Sequence, residues 1–207
     1  MGLDMYLYKN AEFKNIEWAT PQEEEKDKYE RQVIITATDG TQRLVKAYTV
    51  REVTTVTNEK IELWEIEKIC TVNGKKHLEV KVWNEDTQGT VLMQIPFSVI
   101  VTINYEYAYW RKANQIHRWF VDTVQDGIDN CGSYEVTGEQ LMDLTDLCKQ
   151  VLNKRTTDFA DATLPTCAGF FFGSTDYDDY YFEELEDTLK QLAEVKPTEV
   201  YTYRSSW

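Results

Sequence analysis

The chain has 207 residues, 42% hydrophobic and 13% aromatic, enough for a sizeable core and too apolar for a disordered segment. Its 36 acidic and 22 basic residues leave a net charge of −14, which disfavours direct binding to nucleic-acid backbone or to an anionic membrane. No apolar run approaches the roughly 18 residues of a membrane helix, so no span is expected. Met1 to Tyr6 lacks the basic-then-apolar order of a secretory signal, and Tyr6 stands where a myristoylation signal wants Ser or Thr. Cys70, Cys131, Cys148 and Cys167 are widely spaced without a CxxC pair, and His77 and His117 lie far apart. Reduced thiols in a cytoplasmic protein, with no metal site and no cofactor, are the expectation.

In chain order, Gly2 to Tyr8 alternates apolar and polar residues and predicts a short strand. Residues 20–30 form a charged connector. From about 31 to 104 the period is two and β-branched residues dominate, predicting an antiparallel meander. Its strands fall near Val33 to Ile35, Leu44 to Val56, Ile61 to Val72, His77 to Trp83, Gly89 to Ile95 and Phe97 to Asn104. Asp39-Gly40 and Asn73-Gly74 supply hairpin turns. The composition changes at Tyr105. Helical spacing predicts a helix from Tyr107 to about Gln125, with Tyr109, Ala113, Ile116, Phe120 and Val124 on one face. Ser133 to Val136 predicts a short strand. Thr137, three residues before Gln140, has capping-box spacing and opens a second helix facing the core through Leu141, Leu144, Cys148, Val151 and Leu152. Ala168 to Phe172 predicts a buried strand, and Gly173-Ser174-Thr175 leads into a third helix that Lys196-Pro197 stops. The expected fold class is α+β: a mainly antiparallel block joined to a three-helix C-terminal part over about 106–195, in one domain.

Three stretches carry a resemblance: Met1-Gly2-Leu3-Asp4-Met5-Tyr6-Leu7, Tyr109-Trp110-Arg111-Lys112-Ala113-Asn114-Gln115-Ile116-His117-Arg118-Trp119-Phe120-Val121 and Gly169-Phe170-Phe171-Phe172-Gly173-Ser174-Thr175-Asp176-Tyr177-Asp178. In these the chain resembles an uncharacterised family of phage and prophage proteins. The stretch over residues 20–105 is longer than the resemblance implies and is expected to be an insertion of this branch. The resemblance implies a setting rather than a chemistry: phage accessory proteins of this size often counter host immunity, inside the infected bacterial cell.

The predicted first helix is locally basic in an acidic chain. Arg111, Asn114, Arg118 and Gln125 recur at three-, four- and seven-residue spacing, flanked by Trp110, His117 and Trp119. Guanidinium forks, amides and aromatic planes are what a nucleotide site needs for phosphate contacts, base edges and stacking. The packing alternative makes the aromatics core and pairs the charges with the acidic third helix. At the second candidate position, Gly173, Ser174 and Thr175 would place backbone N–H groups at a helix start, with Tyr177 and Tyr180 available to stack on a base. There the competing reading is an ordinary cap, Ser174 or Thr175, followed by Asp176, Asp178 and Asp179 complementing the helix dipole. His117 with Cys131 or Cys167 is a third constellation, without a surrounding catalytic motif.

The leading expectation is therefore a protein that binds and sequesters a small nucleotide-like signalling ligand. The alternatives are an acidic inhibitor or DNA mimic that blocks a host defence protein, and a nucleotide-degrading hydrolase. A homo-oligomer is the default assembly.

Overall fold

The computed structural model describes residues 2–21 and 23–207; Met1 of the amino-terminal motif and Gln22 of the charged connector lie outside the described residues. The strands are β1 (Asp4–Trp18), β2 (Gln32–Ala37), β3 (Gln42–Lys46), β4 (Val50–Thr55), β5 (Lys60–Glu62), β6 (Glu65–Val72), β7 (Lys75–Asn84), β8 (Gly89–Pro96), β9 (Ile100–Arg111), β10 (Ser133–Thr137) and β11 (Val200–Ser206). The helices are α1 (Asn114–Val124), α2 (Gly138–Lys154), α3 (Thr157–Thr163) and α4 (Asp179–Gln191). The fold is α+β with antiparallel sheets, and the helices follow the meander. Among the described residues no helix is long and apolar enough to cross a membrane.

The chain forms two compact units: the residues up to Tyr8 together with Tyr107–Trp207, and the continuous stretch Lys9–Glu106. In the first, β11 lies between β1 and β10, with Leu7 opposite Tyr203 and Val136 opposite Tyr201. Alternation puts Leu3, Met5 and Leu7 in the core on one side of β1. Phe120 of α1 stacks on Tyr203 with ring centroids 3.8 Å apart and planes 9° apart. The expected capping box of Thr137 and Gln140 is present and starts α2, which buries Leu141, Leu144, Cys148 and Val151.

In the second unit, β2 pairs with β1 and β3, and β4 with β5 and β9. A separate three-stranded sheet runs β6-β7-β8. Asn73 and Gly74 have φ of 51° and 76°, the left-handed pair that a two-residue hairpin with the sheet's twist requires. Arg31, only 5% exposed, donates to Glu65 at 2.6 Å and to the Glu67 carbonyl at 3.2 Å. Lys81 pairs with the other Glu65 oxygen at 3.2 Å and with Glu67. Burial opposes ionisation of Glu65, but hydrogen bonds and attraction from Lys81 and Arg31 outweigh it and lower its pKa. A lowered folded-state pKa contributes stability above the unfolded carboxylate range that is lost as pH falls through the depressed value. Melting temperature should therefore fall on acidification below the ordinary Glu range. Lys81→Met should shrink that fall, and an unchanged pH profile would refute the linkage.

Four expectations are corrected. The strand β9 continues through Trp110 and Arg111, so the helix predicted from Tyr107 starts at Asn114. Aromatic residues favour the pleat there, and Lys112, in the left-handed region at φ 61°, makes the break. Ala168 to Phe172 is a loop rather than a buried strand: Phe170 is 79% and Phe171 53% exposed, and Phe172 alone of the three is buried. The helix after Gly173 starts only at Asp179, capped by Asp178 accepting from the Tyr181 N–H at 3.1 Å, not by Ser174 or Thr175. Helices number four among the described residues, because α3 was not expected, and the tail forms β11.

Candidate ligand site

The predicted residues all fall in the first unit, but they divide by burial. Trp110, Asn114, His117 and Gln125 are 1–2% exposed. Trp110 donates its indole N–H to Thr188 at 2.9 Å. Asn114 holds the 165–174 loop: its Nδ2 donates to the carbonyls of Phe172 (3.2 Å) and Ser174 (2.8 Å), and its Oδ1 accepts the Cys167 N–H at 3.0 Å. Gln125 donates to the Ile128 carbonyl at 3.2 Å, and its Oε1, like Nε2 of Gln115, has no hydrogen-bond partner among the described residues. Arg118 spans to the Thr166 carbonyl at 3.0 Å and to Asp122 at 3.5 Å. Ser174 accepts the Asp176 N–H and the Thr175 carbonyl accepts from Thr166, so both residues serve the loop's own turns. Tyr177 donates to Asp161 at 2.6 Å and accepts the Thr166 N–H at 3.3 Å. These contacts hold the loop together.

His117 is held from both sides. Its Nε2 lies 3.0 Å from Asp129 and its Nδ1 2.8 Å from the Tyr203 hydroxyl. The carboxylate can only accept, so Nε2–H donates to Asp129, and the Tyr203 hydroxyl occupies Nδ1. Burial pushes the Tyr203 hydroxyl well above its ordinary value, which keeps it protonated. Asp129 also accepts the Trp207 indole N–H at 3.0 Å. Cys167 donates its thiol to the Asn114 carbonyl at 3.3 Å, and burial pushes that thiol up to about 11. A thiol so placed is a poor nucleophile at neutral pH, and the imidazole has no nitrogen left for a substrate. No group of three or more metal-ligating side chains occurs among the described residues.

What faces solvent is a corner made by Arg111, Lys112, Phe170, Phe171 and Gly173, with Gly2 and Phe172 buried beneath it. The Lys112 N–H donates to the Leu3 carbonyl at 2.8 Å, and the Leu3 N–H reaches the Phe171 carbonyl at 3.4 Å. A Cβ on Gly2 would stand 3.7 Å from both the Arg111 guanidinium and Lys112 Cε; one on Gly173 would stand 3.2 Å from Lys112 Cβ. Phe171, at φ 64°, shares the left-handed region with Lys112. For side chains with a Cβ that region costs about 1 kcal/mol or more each. The Phe170 and Phe171 rings meet at 4.3 Å and 58°. Arg111 is paired with Asp4 at 3.1 Å, whereas exposed Lys112 makes no ion pair with a described residue. Tyr180, 49% exposed, reaches the Arg111 carbonyl at 3.4 Å, and burial together with Glu184 pushes its hydroxyl up to about 12.

Sequence reasoning thus named Arg111, Gly173 and Tyr180 at this corner and left Lys112, Phe170 and Phe171 out of the candidate residues. The available signal was three consecutive phenylalanines between Gly169 and Gly173: a glycine-bracketed segment gives no alternating frame that could bury them all. No family model, curated protein or solved structure matches the chain.

Proposed function

We propose that the helix-bearing unit binds a small nucleotide-like anion at the Arg111–Lys112–Phe171 corner and sequesters it without turnover. The observation carrying this is the pairing of two left-handed, non-glycine residues, Lys112 and Phe171, that present a cation and, with Phe170, exposed aromatic rings beside Gly173. Glycine would satisfy either backbone position at lower cost, so the side chains are what the strain preserves. Lys112 supplies charge for a phosphate, Phe170 and Phe171 supply π-faces for a base, and exposed Gly173 lets backbone come close. The start of α1, next to Lys112, adds a favourable dipole with no acidic residue in its first turn. In the phage setting that the sequence resembles, such a protein would remove an immune signal inside the infected cell.

The acidic-inhibitor reading is less well supported. Three exposed acids of α2 and α4 are paired with cations, in Lys149–Asp146, Arg155–Glu186 and Lys190–Asp187, and a phosphate mimic needs a field of one sign.

The test is mass spectrometry of the purified chain, native and then heat-denatured, after incubation with cyclic dinucleotides and ADP-ribose derivatives. Sequestration predicts a retained ligand released intact on denaturation. A chemically altered ligand would replace the proposal with a hydrolase, and no retention of any probe would reject it.

A further inference from the structure

The β-rich unit leaves one sheet edge unguarded. Sheet edges offer unpaired N–H and C=O groups to any other strand, and proteins blunt them with charge. Four edge strands of the chain follow that rule among the described residues: in this unit β3 carries Arg43 and Lys46, β5 Lys60 and Glu62, and β6 Glu65, Glu67 and Lys68, and in the first unit β10 carries Glu135. The fifth, β8, reads Gly-Thr-Val-Leu-Met-Gln-Ile-Pro without a charge. All eight of its residues pair with β7, and none makes a backbone hydrogen bond to another described element on its outer side. Leu92 is 62% and Met93 38% exposed. On the same sheet Trp83 and Trp64 stack, exposed, with centroids 5.8 Å apart.

We infer that β8 is a dimerisation edge, pairing antiparallel with β8 of a second copy of this chain. Two features select that occupant. The chain carries −14, so copies repel except where they meet through uncharged surface, and β8 is such a surface. The ends of the sheet are also complementary: the turn before Gly89 carries exposed Glu85 and Asp86, while Lys75 and Lys76 stand beyond the Pro96 end. Antiparallel self-pairing brings the acidic turn of each copy beside the basic end of the other, two strand spacings or about 10 Å away. Parallel pairing would set like charges together.

Geometry restricts the register. In an antiparallel ladder only alternate residues turn both backbone groups outward, so self-paired residues must share parity. A two-fold axis at Leu92 satisfies this, placing Leu92 opposite its counterpart and Thr90 opposite Gln94. The result is a six-stranded sheet with an isologous interface. This inference concerns the second unit and stands apart from ligand binding.

Sedimentation velocity across micromolar concentrations tests it with the full chain. Wild type should reach twice 24.3 kDa. Leu92→Lys sets two lysines opposite one another and should weaken association by about a hundredfold with an unchanged far-UV spectrum. Leu44→Lys, the same change at a 53% exposed leucine on the charged edge β3, should leave the dimer intact. A monomeric wild type, a dimer insensitive to Leu92→Lys, or equal weakening by both variants would overturn the inference.

Discussion

Replacing Asn114 by alanine should cost about 3 kcal/mol of stability and expose the amide of Cys167 to hydrogen exchange. The side chain is 1% exposed and makes three hydrogen bonds to the 165–174 loop, using both amide hydrogens and the oxygen. Alanine leaves two carbonyls and one N–H without these partners, at about 1–3 kcal/mol for each that stays buried, with some of this recovered as the loop loosens toward water. Asn114→Asp should be no better, because a carboxylate would face the Phe172 and Ser174 carbonyls that now accept from Nδ2. Urea unfolding gives the stability and exchange locates the change. A loss under about 1 kcal/mol, or protection unchanged at Cys167, would show that the backbone alone fixes the loop.

Gly138→Ala separates helix propensity from packing. Propensity alone argues for stabilisation, since alanine exceeds glycine by up to about 1 kcal/mol inside a helix. The structure argues the reverse. A Cβ at Gly138 would lie 1.9 Å from the Lys196 carbonyl oxygen and 2.8 Å from its carbon, both backbone atoms. The Gly138 N–H also donates to the Glu199 carbonyl at 2.7 Å, which ties α2 to the segment entering β11. The segment would have to move and weaken that bond. Overpacking of this kind costs about 1–3 kcal/mol, so the variant should melt at lower temperature. A higher melting temperature would mean that residues 196–199 yield freely.

Both sites show where sequence patterns carry information. The meander was legible because period two and Asn-Gly turns are local signals, and Asn73-Gly74 has the expected backbone. The capping box at Thr137 was legible for the same reason. Periodicity failed at Tyr107 to Arg111, where aromatics satisfy a helical and a strand template equally and the left-handed turn at Lys112 decides. It failed again at Phe170 to Phe172, because Asn114, more than fifty positions away, supplies the hydrogen bonds that a strand partner would have provided. The tail carried a strand signal that was passed over: Val200-Tyr201-Thr202-Tyr203 are strand formers alternating with period two, and only the partners β1 and β10 lay beyond the sequence. For the site, residue chemistry pointed to the helix-bearing unit and named Arg111, Gly173 and Tyr180 at the proposed corner. Sequence could not tell which side of α1 faces the core, so Asn114 and His117, read as ligand groups, sit buried among their own partners.

The most direct test of ligand capture is isothermal titration of a cyclic dinucleotide and of ADP-ribose into wild type, Lys112→Ala and Phe171→Ala. Lys112 and Phe171 are exposed, so neither side chain is needed for the core. Saturable binding of one probe by the wild-type chain, weakened about a hundredfold in each variant with the melting temperature held or raised, is the predicted result. Equal affinity in all three proteins would contradict the proposed corner, and absence of binding to either probe by the wild type would contradict capture of these ligands.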